Sequence, residues 1–189
     1  MTKIALLTPI TAHLLCHPAT PCAAVESIEL TVEPTAAGGL TLRYFVRSMP
    51  GALQMPLPSA PGPADNLWQH TCCEAFIAPV DDKQYREFNF SPSSQWAAYR
   101  FTDYRQRDTR FTPAGAPGIT VQTLSDGFQL EAELSPDLLP EGKALLLCLS
   151  AVIEATEGSK SYWALAHCAA QPDFHLRQSF TLTLNRNTP

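Results

Sequence analysis

One carboxylate interrupts an otherwise apolar stretch: Glu74 follows Cys72-Cys73 and precedes Ala75-Phe76-Ile77. An ionised carboxylate is costly to bury alone, so it needs a cation or several donors. Arg43, Arg86 and Arg100 are the candidate cations for a buried ion pair linking two strands. The other reading is a carboxylate that accepts bonds from ligand hydroxyls. Trp68, Trp96, Tyr99, Tyr104, Tyr162 and Trp163 carry flat apolar faces with a polar edge, suited to stacking on sugar rings or flat cofactors. In strands most such rings fill the core. Trp68 is expected at the surface, because it follows a Pro-rich segment and precedes Gln69-His70.

Among the histidines, His70 opens a strand, His167 closes one, and His175 ends the turn-like Gln171-Pro172-Asp173-Phe174-His175. His167, Asp173 and His175 suggest a polar site, although each histidine alone reads as a hydrogen-bonded structural residue. A metal site there lacks a third ligand. Glu74 and Glu87 make a possible carboxylate pair for glycosidic cleavage, but their spacing sets no geometry. Arg100, Arg105, Arg107 and Arg110 are diluted by Asp103 and Asp108, which reads as a solvated, self-paired surface. GxSxG, phosphate-loop, HExxH and GxGxxG signatures are absent.

The elements that must position these groups show apolar residues at every second position, the mark of half-buried strands. Ile28, Leu30 and Val32 oppose Glu29, Thr31 and Glu33; after a loop over 34–39, Leu40, Leu42, Tyr44 and Val46 alternate with Thr41, Arg43 and Arg47. That pattern predicts a hairpin. Residues 48–66 hold Pro50, Pro56, Pro58, Pro61 and Pro63 and read as a long surface loop. Strands are expected over 71–78, 85–90, 96–101, 119–124 and 128–134, the last two flanking Ser125-Asp126-Gly127. Ser135-Pro136-Asp137 caps a short helical turn, 143–154 reads as a central strand buried on both faces, and 161–167 and 179–184 close the chain. The expectation is an all-β, antiparallel β-sandwich of about ten strands, immunoglobulin-like or jelly-roll-like, in a single domain over 1–189.

The 189 residues are 45% hydrophobic and 16% charged with net charge −5, which excludes a disordered chain and any global basic field for nucleic acid or membrane. No apolar run approaches the length of a membrane span. Six cysteines without a CxxC are too few for a disulfide scaffold. Lys3 before Ile4-Ala5-Leu6-Leu7 suggests a leader, but Pro9 and His13 interrupt the apolar stretch, so a cytoplasmic protein with reduced thiols is expected.

Three stretches carry a family resemblance. Leu67-Trp68-Gln69-His70-Thr71-Cys72-Cys73-Glu74-Ala75-Phe76-Ile77 resembles a strand of DOMON-like ligand-binding domains and of family 9 carbohydrate-binding modules. Tyr85-Arg86-Glu87-Phe88-Asn89-Phe90-Ser91-Pro92 with Trp96-Ala97-Ala98-Tyr99 resembles the next hairpin of a bacterial DOMON-like group. Ser161-Tyr162-Trp163-Ala164-Leu165 with His167, then Pro172-Asp173-Phe174-His175, is similar to that group's C-terminal motif, and the likeness runs from about Leu14 to Leu184.

The resemblance implies a β-sandwich whose relatives bind haem or a carbohydrate. Haem-binding relatives use a Met and His pair, whereas Met49 and Met55 lie in the Pro-rich loop without a matched partner, so no cofactor is expected and haem is the alternative. The leading expectation is a non-catalytic domain for a saccharide or other small polar ligand, without nucleic-acid or membrane partners. Trp68, Glu74, Asn89, Arg100, Trp163, His167 and His175 are its candidate residues, with aromatics stacking and Glu74 and Arg100 orienting hydroxyls. The alternatives are an enzyme acting on a sugar-containing precursor through His167, Asp173 or His175, a haem carrier, and a purely structural module.

Overall fold

Alternating polarity becomes strand in the computed structural model, which describes residues 8–186. The first half of the chain contributes β1 (Ile10–Cys16), β2 (Val25–Pro34), β3 (Leu40–Ser48), β4 (Gly62–Pro63), β5 (Cys72–Pro79), β6 (Tyr85–Phe90) and β7 (Gln95–Asp103). The second adds β8 (Gln106–Arg107), β9 (Gly118–Leu124), β10 (Gly127–Leu134), β11 (Ala144–Glu154), β12 (Lys160–Ala164) and β13 (Leu182–Asn185). These thirteen strands form one network in the order β4-β7-β6-β5-β11-β12-β1-β2-β3-β10-β9, with β13 on β11 and β8 on β7.

The all-β expectation holds, and the finer architecture is corrected. The network is a curled half-barrel of thirteen strands rather than a plain sandwich of about ten, and it is mixed, because β4 and β7 run parallel. The curl comes from β1. Its residues Ile10 to Leu14 pair with β2, whereas Leu15 and Cys16 pair with β12, so one strand bends between the two halves of the sheet. The strands beyond the expected ten are β1, hidden by its interrupted polarity, and β4 and β8, each two residues long and too short for any period to show. β12 ends at Ala164, leaving His167 beyond the strand, and β13 begins at Leu182 after a 3-10 turn over Arg177–Ser179. The apolar start at 3–7 lies outside the described residues.

One core lies between the two halves. Leu30, Leu42, Tyr44, Val46, Phe128 and Leu130 from β2, β3 and β10 meet Ile77, Phe88, Phe90, Leu147 and Leu149 from β5, β6 and β11. Each side chain fully removed from water there contributes about 1.5–3 kcal/mol. The Tyr44 hydroxyl crosses the core and donates to the Glu74 carbonyl at 2.7 Å. A second apolar cluster, including Phe76, Tyr85, Phe101, Cys148, Phe174 and Phe180, covers the outer face of the β5–β6–β7–β11 half. The chain beyond β12 folds back over this face. That covering is why β5 and β11 are apolar on both sides.

The hairpin at 125–127 depends on its glycine. Gly127 has φ +140°, and a Cβ there would lie 1.9 Å from the Val46 carbonyl oxygen.

Candidate functional site

On β5 the two-residue period sends Cys72, Glu74 and Phe76 to the outer face, while Cys73, Ala75 and Ile77 enter the core. Register then sets the neighbours. Glu74 lies opposite Asn89 on one side and Ser150 on the other; Phe76 lies opposite Glu87, which in turn faces Tyr99. Glu74 and Glu87 are therefore diagonal neighbours on adjacent strands, a separation over which side chains still interact. They form the floor of a cleft of about 760 Å³. Three segments wall it: 65–68 with Asp65, Asn66 and Trp68, the turn into β8 with Arg105 and Arg107, and 171–175 with Asp173, Phe174 and His175.

The floor is polar and mostly buried. Glu74 is 3% and Glu87 6% exposed. Ser150 Oγ donates to Glu74 Oε2 at 3.2 Å, and Asn89 Nδ2 donates to Glu87 Oε1 at 2.7 Å. Burial and the neighbouring Glu87 raise the Glu74 carboxyl to about 8, against the lowering effect of the Ser150 bond. Burial raises Glu87 to about 7, opposed by Asn89 and by the Arg105 and Arg107 charges. Near neutral pH this floor holds protons and can both donate and accept hydrogen bonds.

His175 joins the floor to its wall. The Tyr85 oxygen accepts the Arg105 backbone N–H at 3.1 Å and shares a hydrogen bond with His175 Nδ1 at 2.8 Å. His175 Nε2 lies on the Glu87 side of the ring, 3.8 Å from Glu87 Oε2. Burial and the Arg105 charge lower His175 to about 4, so near pH 7 the imidazole is neutral and its contact with Glu87 is not an ion pair.

The rim carries paired charge. Arg105 Nη2 donates to Asp173 Oδ1 at 3.0 Å, and the same carboxylate receives the Tyr104 hydroxyl at 2.5 Å. Arg107 lies 4.0 Å above the Tyr99 ring, with Nη2 3.9 Å from Asp65 Oδ1, the oxygen that accepts the Tyr99 hydroxyl at 2.6 Å. Trp68 stands on a 3-10 turn over Leu67–Gln69, entered through Asn66 in the left-handed region at φ 62°, and is 46% exposed.

Of the residues singled out from sequence, Trp68, Glu74 and His175 line this cleft, and Asn89 lies beneath it, holding Glu87. The other three stand apart. Arg100 is bound to Asp108, packs on Phe111 and borders a different hollow with Arg86. Trp163 is 6% exposed in the inner core, its Nε1 donating to Ser161 Oγ at 2.9 Å. His167 Nε2 binds the Leu15 carbonyl at 2.7 Å, edge-on to His17. The buried ion pair considered for Glu74 does not form among the described residues. Arg43 serves Glu33 and Glu131, Arg86 donates to the Asp137 carbonyl, and Arg100 serves Asp108.

Sequence reasoning missed Asp65 and undervalued Glu87, Arg105 and Arg107. The hairpin register across Ser91-Pro92-Ser93-Ser94 places Glu87 and Asn89 on one face, a signal available from alternation alone. The self-paired reading of the arginines fits Arg100 and Arg110, which share Asp108, while Arg105 and Arg107 turn into the cleft. Among the described residues no cluster of three metal-ligating side chains occurs.

No protein-family model and no curated protein matches the chain. Solved structures that share its fold include the following two. A proposed carbohydrate-binding protein from Bacteroides uniformis aligns with TM-score 0.68 and 14% identity over 93% of this chain and 85% of that one. A family 9 carbohydrate-binding module from Caldicellulosiruptor kristjanssonii, in complex with cellotriose, aligns with TM-score 0.53 and 10% identity over 89% of this chain and 83% of that one. At 14% and 10% identity these likenesses are ones of fold.

Proposed function

We propose that the chain is a single, non-catalytic DOMON-like domain that binds a saccharide in the cleft above Glu74 and Glu87. The observation that carries this reading is a pair of buried carboxyls, Glu74 and Glu87, lining one cleft with the exposed Trp68 indole. Sugar hydroxyls donate and accept at once, and a protonated carboxyl beside a second carboxyl and an amide meets both needs. The Trp68 ring offers an apolar face for the C–H side of a pyranose. A cleft of about 760 Å³ is within the size range of small-molecule sites. The shared fold of a module that holds cellotriose adds support.

Calorimetric titration with a glycan panel that includes cellotriose tests the reading, with millimolar or tighter binding expected for at least one member. Trp68→Ala is expected to weaken that binding about three- to tenfold, the loss of one stacking face, while the melting temperature stays within about 2 °C. Absence of binding across the panel at millimolar protein and ligand refutes it.

A further inference from the structure

We infer that the ligand of this cleft carries a protonated amine, so that the saccharide reading on which this rests narrows to an unacetylated amino sugar seated on Glu74 and Glu87.

Three observations converge. First, the rim charges pair with each other: Arg105 with Asp173 and, more loosely, Arg107 with Asp65. Neither arginine forms a salt bridge with the floor: their charges reach Glu87 only from the rim, and Glu74 has no cation of its own among the described residues. Second, each floor carboxyl has one oxygen bound within the protein and one left over. Glu74 Oε1 makes no hydrogen bond among the described residues, and Glu87 Oε2 has only the distant His175 Nε2. Both residues are more than nine-tenths buried and line the cleft. Third, Tyr162 and Phe174 present rings to the same space, and an ammonium group is attracted to ring faces.

A proton is the counter-ion of the empty floor; an ammonium that donates to both free oxygens would replace it. Of the groups facing the pair, Arg105 and Arg107 act on Glu87 from the rim, each partnered by Asp173 or Asp65, and the others stay neutral near pH 7. From β5 and β11 the Cys72 and Cys148 thiols are pushed up by burial, and from β6 and β7 the Tyr85 and Tyr99 hydroxyls are raised likewise. His175 is neutral near pH 7. Binding therefore releases a proton from the floor to the buffer, and affinity rises with pH below the carboxyl values, by up to about tenfold per pH unit for one proton.

The test is calorimetric titration of the full chain with glucosamine trimer, its N-acetylated form and cellotriose, which differ at one ring substituent. Runs at about pH 5.5 and about pH 7, in two buffers of different ionisation enthalpy, count the protons released. The glucosamine trimer is expected to bind at least about tenfold more tightly than the other two near pH 7, and about three- to tenfold more tightly there than near pH 5.5. In Glu74→Gln and Glu87→Gln, the ratio of amino to neutral trimer affinity is expected to fall toward one. Equal binding of the three trimers, or a preference that survives both substitutions, overturns the amine inference and leaves the saccharide reading standing. Failure of all three to bind overturns both.

Discussion

Replacing Glu74 by Gln tests how far burial shields the floor of the cleft. In the folded chain this carboxyl is raised from its ordinary 4.5 to about 8, so the folded state holds the proton more tightly than the unfolded state does. The group costs nothing below about pH 4.5; stability is lost as pH climbs through the window toward 8, where the folded carboxyl also ionises. Each pH unit inside that window costs about 1.4 kcal/mol. By pH 7 the accumulated loss is about 3 kcal/mol, or about 6–12 °C in melting temperature for a chain of this length. Gln keeps the shape and the acceptor for Ser150 but cannot ionise. The melting temperatures of wild type and Glu74→Gln, followed by circular dichroism from pH 4 to 8, should therefore diverge with rising pH, the variant becoming the more stable. A difference that stays constant across that range would mean that Glu74 ionises as it does in water, and the account of a buried, proton-holding floor would be wrong.

Three further outcomes follow from packing. Ser150→Ala removes the one hydrogen bond that Glu74 receives from a side chain among the described residues; a loss of about 1–3 kcal/mol in urea melts is expected, together with a higher pH for the Glu74 transition. Trp163→Ala empties an inner-core position and strands Ser161 without the indole donor, which should cost about 3–5 kcal/mol while leaving the groups of the cleft in place. Gly127→Ala forces a Cβ against the Val46 carbonyl at positive φ, and a loss of about 2–4 kcal/mol in the same melts is expected; a stable variant would show that the 125–127 turn adopts another form.

Much of the architecture was legible because burial on one face writes itself into every second residue. β3 and β10 alternate along most of their length, β2 does so from Ile28 to Val32 beyond an irregularity at Val25–Ser27, and Gly127 announces its turn. β11 was readable as central because both its faces are apolar, although only the structure supplies what covers the second face. The site was less legible for a definite reason. Glu74 stands out because a charge among apolar neighbours is anomalous, whereas Arg107 and Asp65 belong to polar segments where nothing distinguishes a cleft residue from a solvated one. Trp163 and Arg100 misled in opposite ways. An indole beside polar neighbours can still face inward when a Ser two positions earlier accepts its N–H, as Ser161 does, and an arginine near a carboxylate in sequence space need not share its face.

The strand order also bears on how the chain can be made. The run β5–β6–β7 pairs locally, as do β2 with β3 and β9 with β10, but the hairpin of β11 and β12 is the seam that joins these pieces, since β11 pairs β5 and β12 pairs β1. During synthesis the edge of β5 that faces away from β6 must wait for its partner until Ala144–Glu154 leaves the ribosome. Closure of the sheet is therefore a late, long-range event, of the kind that makes all-β chains fold slowly.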